Sequence, residues 1–319
     1  MKFLICGLGS IGQRHYRNLK SLKHDDIIVY RTGKGANDGF VQKFLDEFQP
    51  ITYTDFQEAL NQRPDLVIVA NPTSAHMETA LAAARAGCNL FIEKPVVHDT
   101  NIFERHDLLR LVEGKNLVAQ VGYHFRFHPL IQRAYAQLRD GKIGKVVSFH
   151  AEISDQVVNW HPWEDYHASY ACRRDLGGGV ILVQSHAIDW AYYLMGDVKK
   201  IACLGGTLGD LNIDVEDTVK ILLEFTSGAV GSIELSYLKP TRRRIEIVGT
   251  HGSIVWDDKT EAGDLPPDFE RNTMYLDEIK HCIECIRSGL KPTVDLKQGL
   301  IVNDLALQAL GQILRKETP

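Results

Sequence analysis

The sequence predicts an α/β chain of two domains: an N-terminal doubly wound parallel sheet, then a C-terminal α+β domain with a large, mostly antiparallel sheet. Three observations predict it. Six short apolar runs alternate with five stretches of helical periodicity before residue 122. The first of these runs ends on three glycines, Gly7, Gly9 and Gly12. From about residue 145 the apolar period changes to two, as in Val147, Phe149, Ala151 and Ile153.

Residues 2–6 form an apolar run of strand length, 11–22 carry a helical pattern, and 27–30 form a second strand. Phe40, Val41, Phe44, Leu45 and Phe48 recur at helical spacing. A short strand is expected at 51–53 and a brief helix from Asp55. Residues 66–70 are apolar without alternation, as in a parallel strand buried on both faces. An alanine-rich helix then runs to Arg85, with Gly87 placed to end it. Strands at 89–92 and 117–121, with a helix over 100–112 between them, complete the alternation. Beyond it, 219–225 with 230–235 and 244–248 with 253–256 read as antiparallel hairpins. The expected domains are 1–122 and 123–319, with a last helix, about 296–315, packing back toward the first.

Strand, glycine turn, helix and strand at residues 2–30 form the setting of a dinucleotide fingerprint, and hence of a Rossmann domain. Gly7 permits the tight turn, Gly9 the approach of a pyrophosphate, and Gly12 close packing of helix on strand. Amide groups at the helix start would face the anion, with Ser10 and Ile11 there. The end of the second strand carries Tyr30, Arg31 and Thr32, with Lys34 beyond, and no carboxylate. Arg31 can fork onto a ribose 2′-phosphate, so NADP is favoured over NAD.

The composition excludes several classes. A net charge of −5 over 319 residues does not suit a nucleic-acid binder. No apolar run approaches the roughly 20 residues of a membrane span. The chain opens on a strand, so a cytoplasmic protein without a signal peptide is expected. The six cysteines sit in apolar segments and suit a reducing compartment. Cys282 and Cys285 beside His281 have the look of a metal or redox pair. They share a helical face with Tyr275, Ile279, Ile283 and Ile286, which makes them core residues. No metal site is expected.

Glu93-Lys94-Pro95 after the fifth strand, Asn71-Pro72-Thr73-x-x-His76, Arg126-Phe127-His128-Pro129, and Gly177-Gly178-Gly179 with His186-x-x-Asp189 follow the glycine motif in order. This series resembles the Gfo/Idh/MocA oxidoreductases over essentially the whole chain. The region Trp160-His161-Pro162-Trp163 resembles members serving cell-surface sugar pathways. The resemblance implies hydride transfer between a nicotinamide and a carbinol or carbonyl carbon of a sugar, sugar nucleotide or cyclitol. It implies a homodimer or homotetramer formed through the second sheet. It assigns dinucleotide contacts to Gly7, Gly9, Ser10, Ile11, Gly12, Arg31, Asn71, His76, Glu93 and Lys94. It places substrate contacts at Arg126, Trp163 and His186.

Removing a hydride from a secondary alcohol also removes a proton, which needs a nearby acceptor. Lys94 suits that role, because desolvation and a cationic nicotinamide both lower its proton affinity. Pro95 is a candidate for a cis bond. His186 is the second catalytic candidate, with Asp189 one helical turn on, able to reach it or to cap a nearby amide. Tyr123, just past the sixth strand, is a further substrate candidate. Many active members carry an aspartate where this chain has Val183, which puts a complete Lys-Asp-His relay in doubt. Two other readings use the same cofactor half: a cofactor-bound sensor without turnover, and a diol dehydrogenase.

Overall fold

The computed structural model describes residues 1–33, 38–99, 101–161, 163–260, 265–266 and 269–314. Lys34, Thr100 and Pro162, each part of an expectation above, lie outside them. The chain forms two compact units.

The first unit comprises Met1–Gly122, Asp175–Gly177 and Tyr275–Leu300. Its strands are β1 (Phe3–Cys6), β2 (Ile27–Tyr30), β3 (Ile51–Tyr53), β4 (Leu66–Val69), β5 (Asn89–Ile92) and β6 (Ala119–Val121). The helices between them are α1 (Ser10–Ser21), α2 (Asp38–Phe48), α3 (Phe56–Leu60), α4 (His76–Arg85) and α5 (Ile102–Gly114). All neighbouring strands are parallel, in the order β3-β2-β1-β4-β5-β6. Strand order therefore reverses between β1 and β4, and the crevice beyond their carboxyl ends is where such sheets bind ligands. The core joins Phe3, Ile5, Val29, Ile68 and Phe91 of the sheet to Leu19 and Phe44 of the helices.

The division expected at residue 122 is not the whole division. Helix α9 (Arg271–Ser288) begins in the second unit and continues in the first, where it adds Ile279, Cys282 and Ile283 to the core just described. The apolar face read from the sequence is thus buried on the first sheet. The helix expected to pack back, about 296–315, belongs to the first unit only through Leu300.

The second unit comprises Tyr123–Arg174, Gly178–Met274 and Ile301–Pro319. Its strands are β7 (Val146–Ser154), β8 (Val198–Gly206), β9 (Thr218–Phe225), β10 (Val230–Ser236), β11 (Arg242–Gly249) and β12 (Gly252–Asp257). Its helices are α6 (Pro129–Arg139), α7 (Val180–Val183) and α8 (His186–Met195); α9 (Arg271–Ser288) and α10 (Leu296–Leu314) straddle the division. The sheet order is β12-β11-β7-β10-β9-β8, antiparallel throughout except for β7 with β10. Phe149, Ile153, Ile221, Phe225, Ile233 and Ile247 point to one face and are buried there, with α8 packed on β7 and β10. The opposite face carries Leu204, Leu222, Val230 and Val255, all exposed, among ion pairs such as Lys220 to Glu234 at 2.8 Å.

Candidate functional site

The glycine turn of the first unit has the geometry its three positions require. Gly7 has φ +99°, and a Cβ there would stand 2.7 Å from the Ala70 carbonyl oxygen. A Cβ on Gly12 would stand 2.1 Å from the Gly7 carbonyl oxygen. Gly9 differs: a Cβ there meets nothing within 4 Å, so the open space lies in front of it. Gly9 is the N-cap of α1, no acidic residue occupies the first turn, and Ser10 is exposed. The N–H groups and helix dipole there suit a diphosphate. Asn71, just past β4, donates to Thr79 Oγ1 at 2.8 Å, while its buried Oδ1 has no partner among the described residues. That orphaned acceptor suits a hydroxyl donor such as a ribose. These residues fit a dinucleotide.

Arg31 follows β2 directly and is half-buried, its amide donating to the Tyr53 carbonyl at 3.1 Å. The nearby Asp55 carboxylate is occupied as N-cap of α3, accepting from the Glu58 amide at 2.8 Å. His76 does not present a free ring nitrogen. Its Nδ1 lies 2.9 Å from the Pro95 oxygen and its Nε2 2.8 Å from the Asn71 oxygen. It ties two loops of the crevice together, where a direct dinucleotide contact had been expected.

Lys94 follows β5, and the Lys94–Pro95 bond is cis. Burial lowers the Lys94 amine from its ordinary value to about 8, opposed by the adjacent Glu93 charge. Glu93 is buried and accepts from His15 Nε2 at 2.7 Å. Its other oxygen accepts from the Lys94 amide at 3.3 Å. Nothing in the sequence around His15 indicates this partner, 78 residues away. The placement of His15 three residues after Gly12, on the helix that packs over the sheet, was the available signal.

In the second unit, Arg126 and Asp189 are buried together. Arg126 Nε lies 3.0 and 3.1 Å from the two carboxylate oxygens, and an outer nitrogen lies 2.6 Å from Oδ1. Arg126 also stacks over Tyr193. One expectation changes: Asp189 pairs with Arg126 rather than with His186. Arg126, expected as a substrate contact, lies in this buried ion pair. Tyr123 is likewise interior, 0% exposed, donating to Ser185 Oγ at 3.4 Å. His186 opens α8 and is ringed by Tyr123, His124 and Phe125, with centroids 5.7, 4.6 and 5.0 Å away. Trp163 is 49% exposed and stacks on His161 at 4.9 Å. Val183 is buried in α7, and its neighbour Gln184 donates to the buried Asp155 at 3.0 Å. Among the described residues no three His, Cys, Asp or Glu side chains gather as a metal site, and no helix is long and apolar enough to cross a membrane.

A glycine turn of this geometry at the reversal of a parallel sheet, with a lysine of lowered proton affinity two strands away, defines a dinucleotide-dependent oxidoreductase. Residues 1–123 match the oxidoreductase family with an NAD-binding Rossmann fold, and residues 131–255 match the GFO/IDH/MocA C-terminal domain. The chain belongs to the Gfo/Idh/MocA family of oxidoreductases. It is 27% identical over 316 residues to scyllo-inositol 2-dehydrogenase (NAD(+)) of Bacillus subtilis, covering 91% of this chain and 87% of that one. It is 28% identical over 338 residues to myo-inositol 2-dehydrogenase of Thermotoga maritima, covering 98% and 97%. The fold matches levoglucosan dehydrogenase in complex with NADH and levoglucosan, with TM-score 0.83 at 20% identity, over 99% and 98% of the chains.

Proposed function

We propose that this chain is a cytoplasmic dehydrogenase of a sugar, sugar nucleotide or cyclitol, in which Lys94 carries the proton and His186 assists. The observation that carries the reading is the Lys94 amine, held near neutrality by burial at the carboxyl end of β5. A bound nicotinamide supplies the hydride acceptor or donor. Gly9, Ser10, Ile11 and Asn71 would hold the dinucleotide. Lys94 accepts the hydroxyl proton when an alcohol is oxidised and returns it when a carbonyl is reduced. His186 orients the hydroxyl, and the exposed Trp163 offers an apolar face to a sugar ring. With Val183 in place of an aspartate, the groups assigned to the chemistry are Lys94 and His186 alone. The relatives named above are dehydrogenases, which favours turnover over a sensor role. The six cysteines are free and buried, in keeping with a reducing compartment.

Arg31 supports NADPH as the preferred cofactor. Fluorescence titration should show tighter binding of NADPH than NADH. Arg31→Ala should weaken NADPH about tenfold to a hundredfold, the worth of a charge-assisted bond, and change NADH little. Tighter NADH binding in the wild type would overturn the preference.

The exposed face of the second sheet supports a homodimer or homotetramer. Leu204, Leu222, Val230 and Val255 are all more than half exposed there, and such a face is normally covered by a second copy. Light scattering at micromolar concentration should give a mass of two or four chains; a single-chain mass would refute it.

A further inference from the structure

His15 lies outside the chemistry described so far, yet it is placed where only a specific partner accounts for it. It sits on α1, three residues past Gly12, and is 0% exposed. Its Nε2 is 2.7 Å from Glu93 Oε1. A carboxylate only accepts, so Nε2 carries the hydrogen. Nδ1 is buried and meets no hydrogen-bonding group among the described residues. The ring packs edge-on against Phe91, centroids 4.9 Å apart. Glu93 is the ring's one polar partner there.

The Glu93 carboxylate is fixed from three sides. His15 holds Oε1 from α1, and the Lys94 amide holds Oε2. Gly122, past β6, lies so close that a Cβ there would stand 3.0 Å from Oε2. We propose that His15 is a positioning residue: by donating to Glu93 it fixes that carboxylate beside Lys94, and so ties the helix that seats the cofactor diphosphate to the residue that moves the proton. The roles of helix and lysine rest on the function proposed above; the link itself rests on the contacts alone.

The link has an electrostatic consequence. Burial lowers the Lys94 amine and the Glu93 charge raises it. The titratable side chains facing this pair are His15 from α1 and His76 from α4. Without the His15 donor the Glu93 carboxylate is no longer held at this place beside Lys94. The charge that raises the Lys94 amine then acts from farther away, and its proton affinity falls further.

Competitive labelling with trace acetic anhydride across a pH series, read by mass spectrometry on the peptide holding Lys94, measures that affinity in the intact protein. His15→Leu and Glu93→Gln should each lower the midpoint by roughly one unit or more, the usual size for a lost close charge. The double variant should go no lower than Glu93→Gln alone. His15→Gln, whose amide nitrogen reaches the place of Nε2, should keep the wild-type midpoint. An unchanged midpoint in His15→Leu, or a shift that adds to that of Glu93→Gln, would overturn the proposal. Should His15→Leu fail to fold, His15→Asn decides against His15→Gln. Its shorter amide cannot reach, so it should shift; wild-type midpoints in both amides overturn the link. The labelling needs no substrate, so it fails or succeeds separately from the sugar reading.

Discussion

Lys94→Met slows hydride transfer about 10²–10⁴-fold, the usual loss when a general acid or base is removed. The fold should survive, because methionine fills nearly the same stem volume and leaves no buried charge behind. Cofactor affinity should survive too, since the glycine turn and Asn71 are untouched. The wild-type pH profile should carry the same signature. Oxidation needs the neutral amine, so its rate rises with pH through about 8, where burial places Lys94. Reduction needs the ammonium form and falls over the same range. In Lys94→Met this limb should vanish in both directions. Stopped-flow absorbance of the nicotinamide checks both points; a Lys94→Met variant as fast as wild type would show that another group moves the proton.

Arg126→Leu should destabilise the second unit by about 3–5 kcal/mol, because it leaves the Asp189 carboxylate buried without its partner. Arg126 and Asp189 are 2% and 0% exposed, so neither charge can turn to water. Burial already pushes the Asp189 carboxyl up, with the Arg126 charge and hydrogen bonds opposing it. Replacing both residues with leucine removes the stranded charge and should recover much of the loss. Urea unfolding of the two single variants and the double variant measures this. A wild-type midpoint in Arg126→Leu would mean the pair contributes nothing.

The parts legible in the sequence were those set by local chemistry. The alternating apolar runs gave the first sheet strand by strand, since buried parallel strands are apolar throughout. The glycines at 7, 9 and 12 announced the turn because backbone geometry admits few alternatives there. Strand β8 was not read. It runs Val198-Lys199-Lys200-Ile201 and ends on Gly205-Gly206, and its side chains alternate poorly between the faces. The partners of charged groups were not legible either. Asp189 lies one turn from His186 in sequence, yet it bonds Arg126, 63 residues away. His15 reaches Glu93 across 78 residues. Such pairings depend on which strand ends lie side by side, and periodicity carries no information about that. Helix α9 shows the same limit from another side. Its apolar face was evident, but nothing local said that the chain would return to the first sheet to bury it.

The central claim is that Lys94 moves the proton in hydride transfer to or from a sugar-type substrate. Single-turnover nicotinamide absorbance, with a panel of sugar nucleotides, free sugars and inositols at saturation, tests it most directly. The wild type should change the redox state of its nicotinamide with at least one of them, slower with substrate deuterated at the reacting carbon, and Lys94→Met should not. Equal turnover by wild type and Lys94→Met, or no change with any polyol or sugar offered, would contradict it.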